Sequence, residues 1–157
     1  MAAIVMPFRH APTGSWSYLL RDGDSIAAAI IDPVLDYDTA SGRVDHASAQ
    51  AMLDVVEREG LRVGWLLETH AHADHLTAAD WLRSRLREHG AGTPKLGIGA
   101  GIAEVRRAFA QSLELRDEPA RTPLFDHLFV DGEVFLIGNL RARVLTTPGH
   151  TGDSVSY

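Results

Sequence analysis

Thr69-His70-Ala71-His72-Ala73-Asp74-His75 is the most informative stretch of this sequence, because it holds three of the chain's eight histidines. On an extended segment, the side chains of His70 and His72 point to the same side, so both imidazoles can hold one metal ion. Asp74 and His75 follow where the chain turns into the next helix, and they can face a second position. The spacing therefore predicts a site for one or two metal ions.

A simpler interpretation of this stretch is a polar loop in which Asp74 caps a helix and the histidines face solvent. We favour the metal site because the stretch lies at a predicted junction between a strand and a helix. A second histidine element, Pro148-Gly149-His150-Thr151, directly follows a predicted strand. A lone loop histidine is more often solvated than a ligand, but the turn and the nearby cluster favour a ligand role for His150.

The elements around the cluster alternate between strands and helices, which predicts the α/β or α+β class. Segment 61–69 predicts a buried strand that leads into the cluster, and segment 76–89 predicts a helix that ends before Gly90. Upstream, segment 47–59 has apolar residues at helical spacing and is followed by Gly60. The other predictions are strands over 15–20, 26–31 and 95–98, a loop over 36–45, a helix marked by Ile102, Val105 and Phe109, an irregular loop over 115–126, a hairpin over 133–146 and a last strand cut short at Tyr157.

Composition limits what the chain can do. Its 157 residues are 45% hydrophobic and 23% charged, as is typical of a folded domain. The formal charge of −6 argues against binding to nucleic acid or to an anionic membrane. Because the chain has no cysteine, any metal must be held by His, Asp or Glu. The N-terminal apolar run is too short for a signal peptide or a membrane helix, so we expect a cytoplasmic protein.

The histidine pattern resembles that of the metallo-β-lactamase superfamily. Its His-x-His-x-Asp-His signature is matched by His70, His72, Asp74 and His75, and His150 matches its next metal histidine. More narrowly, segments 31–38 and 67–77 are similar to the persulfide dioxygenase (ETHE-like) branch and its bacterial β-lactamase hydrolase-like relatives. The glyoxalase II branch usually has a glycine-rich stretch after the signature, where this chain has Leu76-Thr77-Ala78-Ala79.

For the fold, the resemblance implies the αβ/βα sandwich of the superfamily. We expect residues 1–157 to be a single domain that supplies the N-terminal half of this sandwich and the start of the second half. The domain would then be incomplete at its C-terminus. The apolar surface that the missing half normally covers would favour association of two copies, so a homodimer is possible.

For the activity, the resemblance implies a persulfide dioxygenase that converts glutathione persulfide and dioxygen into sulfite and glutathione. One non-haem iron(II) would be held directly by His70, His150 and a carboxylate from beyond Tyr157. His72, Asp74 and His75 would line the second metal position. Asp153 lies too close to His150 in sequence to be that carboxylate, and we interpret it as a loop residue. The chain without the downstream carboxylate is expected to be inactive.

Two other functions are open. The first is a zinc hydrolase of glutathione thioesters, similar to glyoxalase II, with one or two zinc ions and with His72, Asp74 and His75 as direct ligands. Metal content separates it from the dioxygenase, since two zincs would replace one iron. The second is a non-catalytic, truncated fragment, which the unpaired sheet edge expected at Tyr157 would fit.

Several polar and aromatic residues outside the histidine pattern are not assigned to the metal site. We interpret Asp32, which precedes Pro33 at a strand end, as a turn residue rather than as part of the site. The side chain of Tyr37 either projects toward a substrate or packs on the surface, and the sequence does not decide. The four isolated histidines are assigned no function: His10, His46, His89 and His127.

Overall fold

The computed structural model describes residues 2–114 and 124–157. In chain order its elements are β1 (Ala3–Arg9), β2 (Trp16–Asp22), β3 (Ala27–Ile31), β4 (Val34–Asp38), β5 (Arg43–Asp45), α1 (Ala47–Arg58), β6 (Arg62–Leu67), β7 (Leu76–Thr77), α2 (Ala79–Glu88), β8 (Lys95–Gly99), α3 (Ile102–Ser112), β9 (His127–Phe129), β10 (Val134–Ile137), β11 (Leu140–Arg143), β12 (Leu145–Thr146) and β13 (Val155–Ser156). This mixture of strands and helices confirms the predicted α/β class.

The main sheet has six strands in the order β1-β2-β3-β6-β8-β9. The first three strands are antiparallel, whereas β3, β6, β8 and β9 run parallel. Because the carboxyl ends of parallel strands share one edge of a sheet, the segments that follow β3, β6 and β8 meet there. Three smaller sheets have the orders β5-β4-β7, β10-β11 and β12-β13. The histidine stretch follows β6 and therefore lies at this shared edge.

Apolar side chains fill both faces of the main sheet, as its parallel half requires. On one face, α1 and α2 bury Met52, Leu53 and Leu82. On the other face, Leu67 and Phe129 belong to a second apolar cluster that includes residues of the β10-β11 hairpin. The edge that carries the histidines is thus supported by a core on each side of the sheet.

Helix α1 agrees with the prediction from periodicity. The Asp45 carboxylate accepts a hydrogen bond from the backbone N–H of Ala47 at 3.0 Å, at the start of the helix. Gly60 follows the helix with a φ of 61°, a left-handed conformation in which glycine has no steric penalty. The four predicted core positions are all buried: Ala49, Met52, Leu53 and Val56.

Two predictions for segments beside the cluster were wrong. Segment 36–45 is not a loop throughout, because β4 and β5 pair across it, with Tyr37 opposite Val44. Leu76 and Thr77 are not the first turn of a helix. They form β7, which pairs with β4, and α2 begins only at Ala79. The partners of β4 come from different parts of the chain, so its local residue pattern does not reveal the pairing.

Other differences lie farther from the site. The sequence analysis did not predict β1, which pairs along its whole length with β2. The helix predicted around Ile102, Val105 and Phe109 is α3, which buries only Ile102 and leaves Phe109 60% exposed. The hairpin predicted over 133–146 ends at Arg143, and β12 pairs instead with β13. Most of the irregular loop predicted over 115–126 lies outside the described residues. Among those described, no helix has the length and apolar character needed to cross a membrane.

Candidate metal centre

Asp32 connects the strand ends at the shared edge of the sheet. Its backbone is left-handed, with a φ of 49°, a conformation that aspartate tolerates better than most residues. Its Oδ1 accepts a hydrogen bond from the backbone N–H of Thr69 at 2.7 Å, and its Oδ2 accepts one from the Thr69 hydroxyl at 2.7 Å. The interpretation of Asp32 as a simple turn residue was therefore wrong, since its carboxylate fixes the start of the histidine stretch.

The side chains of His70, His72 and Asp74 converge immediately after this anchor. The His70 Nε2 atom lies 3.2 Å from Nδ1 of His72 and 3.4 Å from Oδ1 of Asp74. The His72 Nδ1 atom lies 3.7 Å from the same carboxylate oxygen. One ligand atom from each residue falls within 4.8 Å of the others. Two imidazoles and one carboxylate form a donor set that suits iron(II) or zinc.

His150 reaches this cluster from the other end of the chain. Its Nε2 atom lies 3.9 Å from Oδ1 of Asp74, and its ring centroid lies 4.8 Å from that of His70. The side chain is 62% exposed, so it covers the cluster from the solvent side. The structure thus brings His150 to the position that the sequence analysis expected, and its role as a ligand remains a prediction.

His75 is placed differently from the other histidines of the stretch. Its ring centroid lies 4.1 Å from that of His72, and its Nδ1 donates a hydrogen bond to the backbone oxygen of Leu76 at 2.9 Å. Burial lowers the pKa of His75. Among the described residues, His75 belongs to no group of three potential ligands. It lies next to the cluster without joining it.

Glu68 is a functional candidate that the sequence analysis missed. Its side chain is 3% exposed, and its Oε2 accepts a hydrogen bond from Nε2 of His72 at 2.8 Å. The Oδ1 atom of Asp32 lies 3.2 Å from the same nitrogen. Burial raises the pKa of the Glu68 carboxyl group. The available signal was a carboxylate that ends a run of apolar residues and stands four positions before a histidine of the cluster.

The protonation of His72 follows from these neighbours. Burial opposes a charge on its ring, but the hydrogen bonds to Asp32 and Glu68 outweigh burial and raise the pKa of His72 to about 10. At neutral pH the metal-free ring therefore carries a proton on each nitrogen. The proton on Nδ1 then points at Nε2 of His70, where a metal ion would otherwise lie.

The hydrogen bonds also show that a metal ion fits here. The Thr69 hydroxyl donates its hydrogen to Asp32, so it accepts one from Nδ1 of His70. This leaves a lone pair on Nε2 of His70, and burial lowers the pKa of that ring. Once the Nδ1 proton of His72 is displaced, two nitrogen lone pairs and the Asp74 carboxylate face one point. Two imidazole lone pairs and one carboxylate directed at one point form a donor set that a divalent cation can bind.

Asp153 ties the two histidine segments together. Its side chain is buried, and its Oδ2 accepts a hydrogen bond from the backbone N–H of Ala71 at 2.9 Å. Nearby, the backbone N–H of Val155 donates to the backbone oxygen of Thr69 at 2.8 Å. Asp153 does lie in a turn, as expected, but the structure gives it a contact inside the histidine stretch that the sequence analysis did not foresee.

A cavity of about 260 Å³ opens beside the cluster. Tyr37 and Thr39 line it and also line a larger neighbouring cavity of about 650 Å³. Tyr37 thus lines a space next to the candidate metal ligands and is 45% exposed, and a contact with substrate stays a prediction. The remaining residues around the smaller cavity are Thr13, Leu35, His72, Ala73, Asp74, His75 and Leu76.

Three of the other histidines have contacts that account for them. His10 is buried, where its Nδ1 contacts the hydroxyl of Thr13 at 2.7 Å and its Nε2 lies 3.2 Å from Oδ1 of Asp36. The ring of His46 stacks on Trp81 with centroids 4.7 Å apart. His127 pairs with Glu133 at the amino end of β9, and none of the three contacts the cluster. The fourth isolated histidine, His89, pairs with the carboxylate of Glu57.

Comparison with known proteins gives a consistent result. The family model of the metallo-beta-lactamase superfamily matches residues 10–157. The chain is 42% identical over 145 residues to a beta-lactamase hydrolase-like protein of Xylella fastidiosa, a match that covers 92% of this chain and 32% of the relative. It is 33% identical over 144 residues to a hydroxyacylglutathione hydrolase of Rhodopseudomonas palustris, covering 91% of this chain and 42% of that protein.

Among solved structures, ETHE1 from Myxococcus xanthus superposes with a TM-score of 0.66 at 24% identity, which covers 97% of this chain and 52% of that one. This likeness concerns the fold. The chain spans about a third of the length of the Xylella relative. Since the family model covers nearly the whole sequence, and since the metal-binding signature of that family is assembled in the structure, the chain belongs to the metallo-beta-lactamase superfamily.

Proposed function

We propose that the protein to which this chain belongs is an iron-dependent persulfide dioxygenase that acts on glutathione persulfide. The observation that supports a single metal is the arrangement around His70. Its Nε2 atom faces His72 and Asp74, and its ring contacts that of His150, whereas His75 joins no group of three ligands among the described residues. His70 and His150 would bind the iron directly, and the final carboxylate would come from elsewhere in the protein.

The reaction that we propose needs no thiol from the protein. Glutathione persulfide, dioxygen and water give glutathione, sulfite and two protons. The sulfur–sulfur bond breaks, the outer sulfur loses four electrons, and dioxygen gains them. Iron(II), when bound, supplies the redox chemistry that activates dioxygen. The absence of cysteine from this chain is compatible with that scheme.

The residues of this chain would bind and orient the substrate. The cavity beside the cluster is the natural place for the thiol carrier, because it joins the metal ligands to the surface at Tyr37 and Thr39. Hydroxyl groups from Thr13, Thr39 and Tyr37 line it and offer hydrogen bonds to a peptide-like carrier. The apolar side chains of Leu35 and Leu76 would limit the access of water to the sulfur atoms.

The test is oxygen consumption by the complete protein. With one equivalent of iron, we expect uptake of dioxygen that depends on glutathione persulfide, with sulfite formed in equal amount. The zinc-loaded protein should show no uptake, which serves as the control. An iron-loaded protein that consumes no oxygen with this substrate would exclude the proposed activity.

A second candidate function is hydrolysis of a glutathione thioester at two zinc ions. Two observations favour it. The Asp74 carboxylate lies between His70 and His150 and close to His75, so it could contact two ions. In addition, one relative at 33% identity is named hydroxyacylglutathione hydrolase. Two zincs per chain, together with release of free thiol from S-lactoylglutathione, would favour this alternative over the dioxygenase.

A further inference from the structure

Glu68 stands at the end of β6 with its backbone and side chain both fixed. Its backbone N–H donates to the backbone oxygen of Gly97 at 2.9 Å, and its backbone oxygen accepts from the hydroxyl of Tyr157 at 2.9 Å. The side chain is 3% exposed. Burial of a carboxylate without partners is strongly unfavourable, so this position requires specific contacts.

Both carboxylate oxygens of Glu68 have such contacts. The Oε1 atom accepts a hydrogen bond from the hydroxyl of Thr77 at 2.5 Å, and Oε2 accepts one from Nε2 of His72 at 2.8 Å. Thr77 belongs to β7, which is held in place by its pairing with β4. The carboxylate therefore cannot rotate without losing one of two short hydrogen bonds.

This geometry decides which nitrogen of His72 is free to bind a metal. An ionised carboxylate only accepts hydrogen bonds, so Nε2 of His72 must carry a hydrogen. The other nitrogen, Nδ1, faces Nε2 of His70 at 3.2 Å and Oδ1 of Asp74 at 3.7 Å. In a histidine that holds a metal, the hydrogen bond made by one ring nitrogen selects the other as ligand.

Asp32 is less suited to this task than Glu68. It lies farther from the His72 nitrogen, at 3.2 Å, and each of its oxygens already accepts a hydrogen bond from Thr69. The two carboxylates thus have different roles. Asp32 holds the start of the stretch, and Glu68 holds the ring of His72.

We propose that Glu68 is a positioning residue that keeps the hydrogen of His72 on Nε2 and thereby directs Nδ1 to the metal. This inference does not rest on the one-iron site of the proposed function, in which His72 is no direct ligand. It concerns a metal ion held by His70, His72 and Asp74 together, and zinc alone is therefore the probe. It predicts that Glu68 contributes to metal affinity without touching the metal.

The test measures the affinity of the 157-residue chain for zinc(II) alone, by competition with a chromophoric chelator. Glu68→Gln keeps the shape of the side chain but removes its charge, and we expect the zinc affinity to fall by about 10- to 100-fold. Glu133→Gln is the matched control. Glu133 contacts Nε2 of His127 in the same way, at 2.6 Å, but far from the cluster, so its variant should bind zinc like the wild type.

A second measurement does not depend on a variant that folds. In the zinc-loaded wild type, nitrogen NMR should show a hydrogen on Nε2 of His72 and none on Nδ1. Zinc bound through Nε2, or an unchanged zinc affinity in a folded Glu68→Gln protein, would overturn the inference.

These outcomes are separable from those of the proposed function. An iron-loaded complete protein that consumes no oxygen would remove the dioxygenase activity and leave the role of Glu68 intact. A normal zinc affinity in a folded Glu68→Gln protein would remove the role of Glu68 and leave the dioxygenase activity untouched. A wild-type chain that binds no zinc at all would overturn the role of Glu68 and leave the dioxygenase to be tested on the complete protein.

Discussion

The carboxylate of Asp153 accepts a hydrogen bond from the backbone N–H of Ala71, across 82 residues of sequence. This contact joins the segment that carries His150 to the segment that carries His70 and His72. The Asp153 side chain is buried, at 5% exposure. The distance between the two groups of histidines therefore depends on a residue that contacts no imidazole itself.

Removal of the Asp153 carboxylate should loosen both segments. Asp153→Ala leaves the partly buried N–H of Ala71 without its acceptor, which costs about 1 kcal/mol of stability. We also expect the zinc affinity to fall by about tenfold, since the ligands are less well oriented. Asp131→Ala is the control, because Asp131 also accepts a backbone hydrogen bond, from Thr146 at 2.7 Å, but in an exposed position. Equal zinc affinities in the two variants would contradict this role.

Substitution of single histidines should distinguish one metal from two. His70→Ala should remove the metal entirely, because His70 is a ligand under both candidate functions. His75→Ala should leave one metal bound to the complete protein if the site holds a single iron, since His75 lies outside the group of three. Elemental analysis of the purified variants measures this. Loss of one of two zincs in His75→Ala would instead support the hydrolase.

The metal-free protein should lose stability as the pH rises. The pKa of His72 is raised to about 10 in the folded state, mainly by hydrogen bonds that outweigh burial, whereas an unfolded histidine titrates near 6.5. The resulting stabilisation is complete below about pH 6.5 and is lost as the pH passes through the folded value. This stabilisation should amount to a few kcal/mol. Each kcal/mol that is lost should lower Tm by about 2–4 °C in a domain of this size.

Thermal unfolding of the metal-free chain between pH 6.5 and 10 measures this effect. His72→Gln provides the comparison, because it lacks the titrating ring and should show a shallower fall in Tm. The same proton predicts that zinc binding near pH 7 releases about one proton from His72, which calorimetry in buffers of different ionisation enthalpy detects. Parallel Tm profiles for the two proteins would show that His72 is not charged in the metal-free state.

Tyr37 should affect substrate binding more than turnover. Its side chain lines the cavity beside the cluster and is 45% exposed. In the iron-loaded complete protein, Tyr37→Ala should raise KM for glutathione persulfide about tenfold with little change in kcat, because the phenol would touch the carrier and not the reacting sulfur. Tyr37→Phe measures the part of this effect that belongs to the hydroxyl group.

Val44→Ala is the matched control for Tyr37. Val44 pairs with Tyr37 across β4 and β5, but it does not line the cavity beside the cluster. The control should therefore leave KM unchanged. A similar rise in KM in both variants would mean that the hairpin as a whole, rather than the tyrosine ring, governs binding.

The histidine spacing predicted the position of the centre, because a strand end delivers His70 and His72 to one edge whatever lies elsewhere in the chain. Glu68 could not be recognised in the same way. In the sequence it looks like the polar end of a strand, and only the pairing of β7 with β4 shows that Thr77 covers it. The role of Asp32 was not recognised for a related reason, since its hydrogen-bond partner Thr69 is 37 residues away in sequence.

The errors in the fold have a similar origin. Helix α1 was predicted well because its own residues determine which side is buried. Helix α3 was predicted from the spacing of its apolar residues too, but that spacing does not show whether anything packs against them, and Phe109 is 60% exposed. The strands β4, β5 and β7 depend on one another rather than on their own residue pattern.

The hydrogen bond from Val155 to Thr69 has a consequence for the order of folding. The hydrogen bond closes the long loop between Thr69 and Val155. Because this closure costs conformational entropy before its contacts form, long-range pairings of this kind form after local ones. During synthesis, the strands and helices around α1 and α2 leave the ribosome well before the turn that carries His150. The centre thus matures in two stages: an early half with His70 and His72, and a late closure that brings in His150. A metal ion that binds early meets an incomplete set of ligands, and the segment with His150 is added to it later.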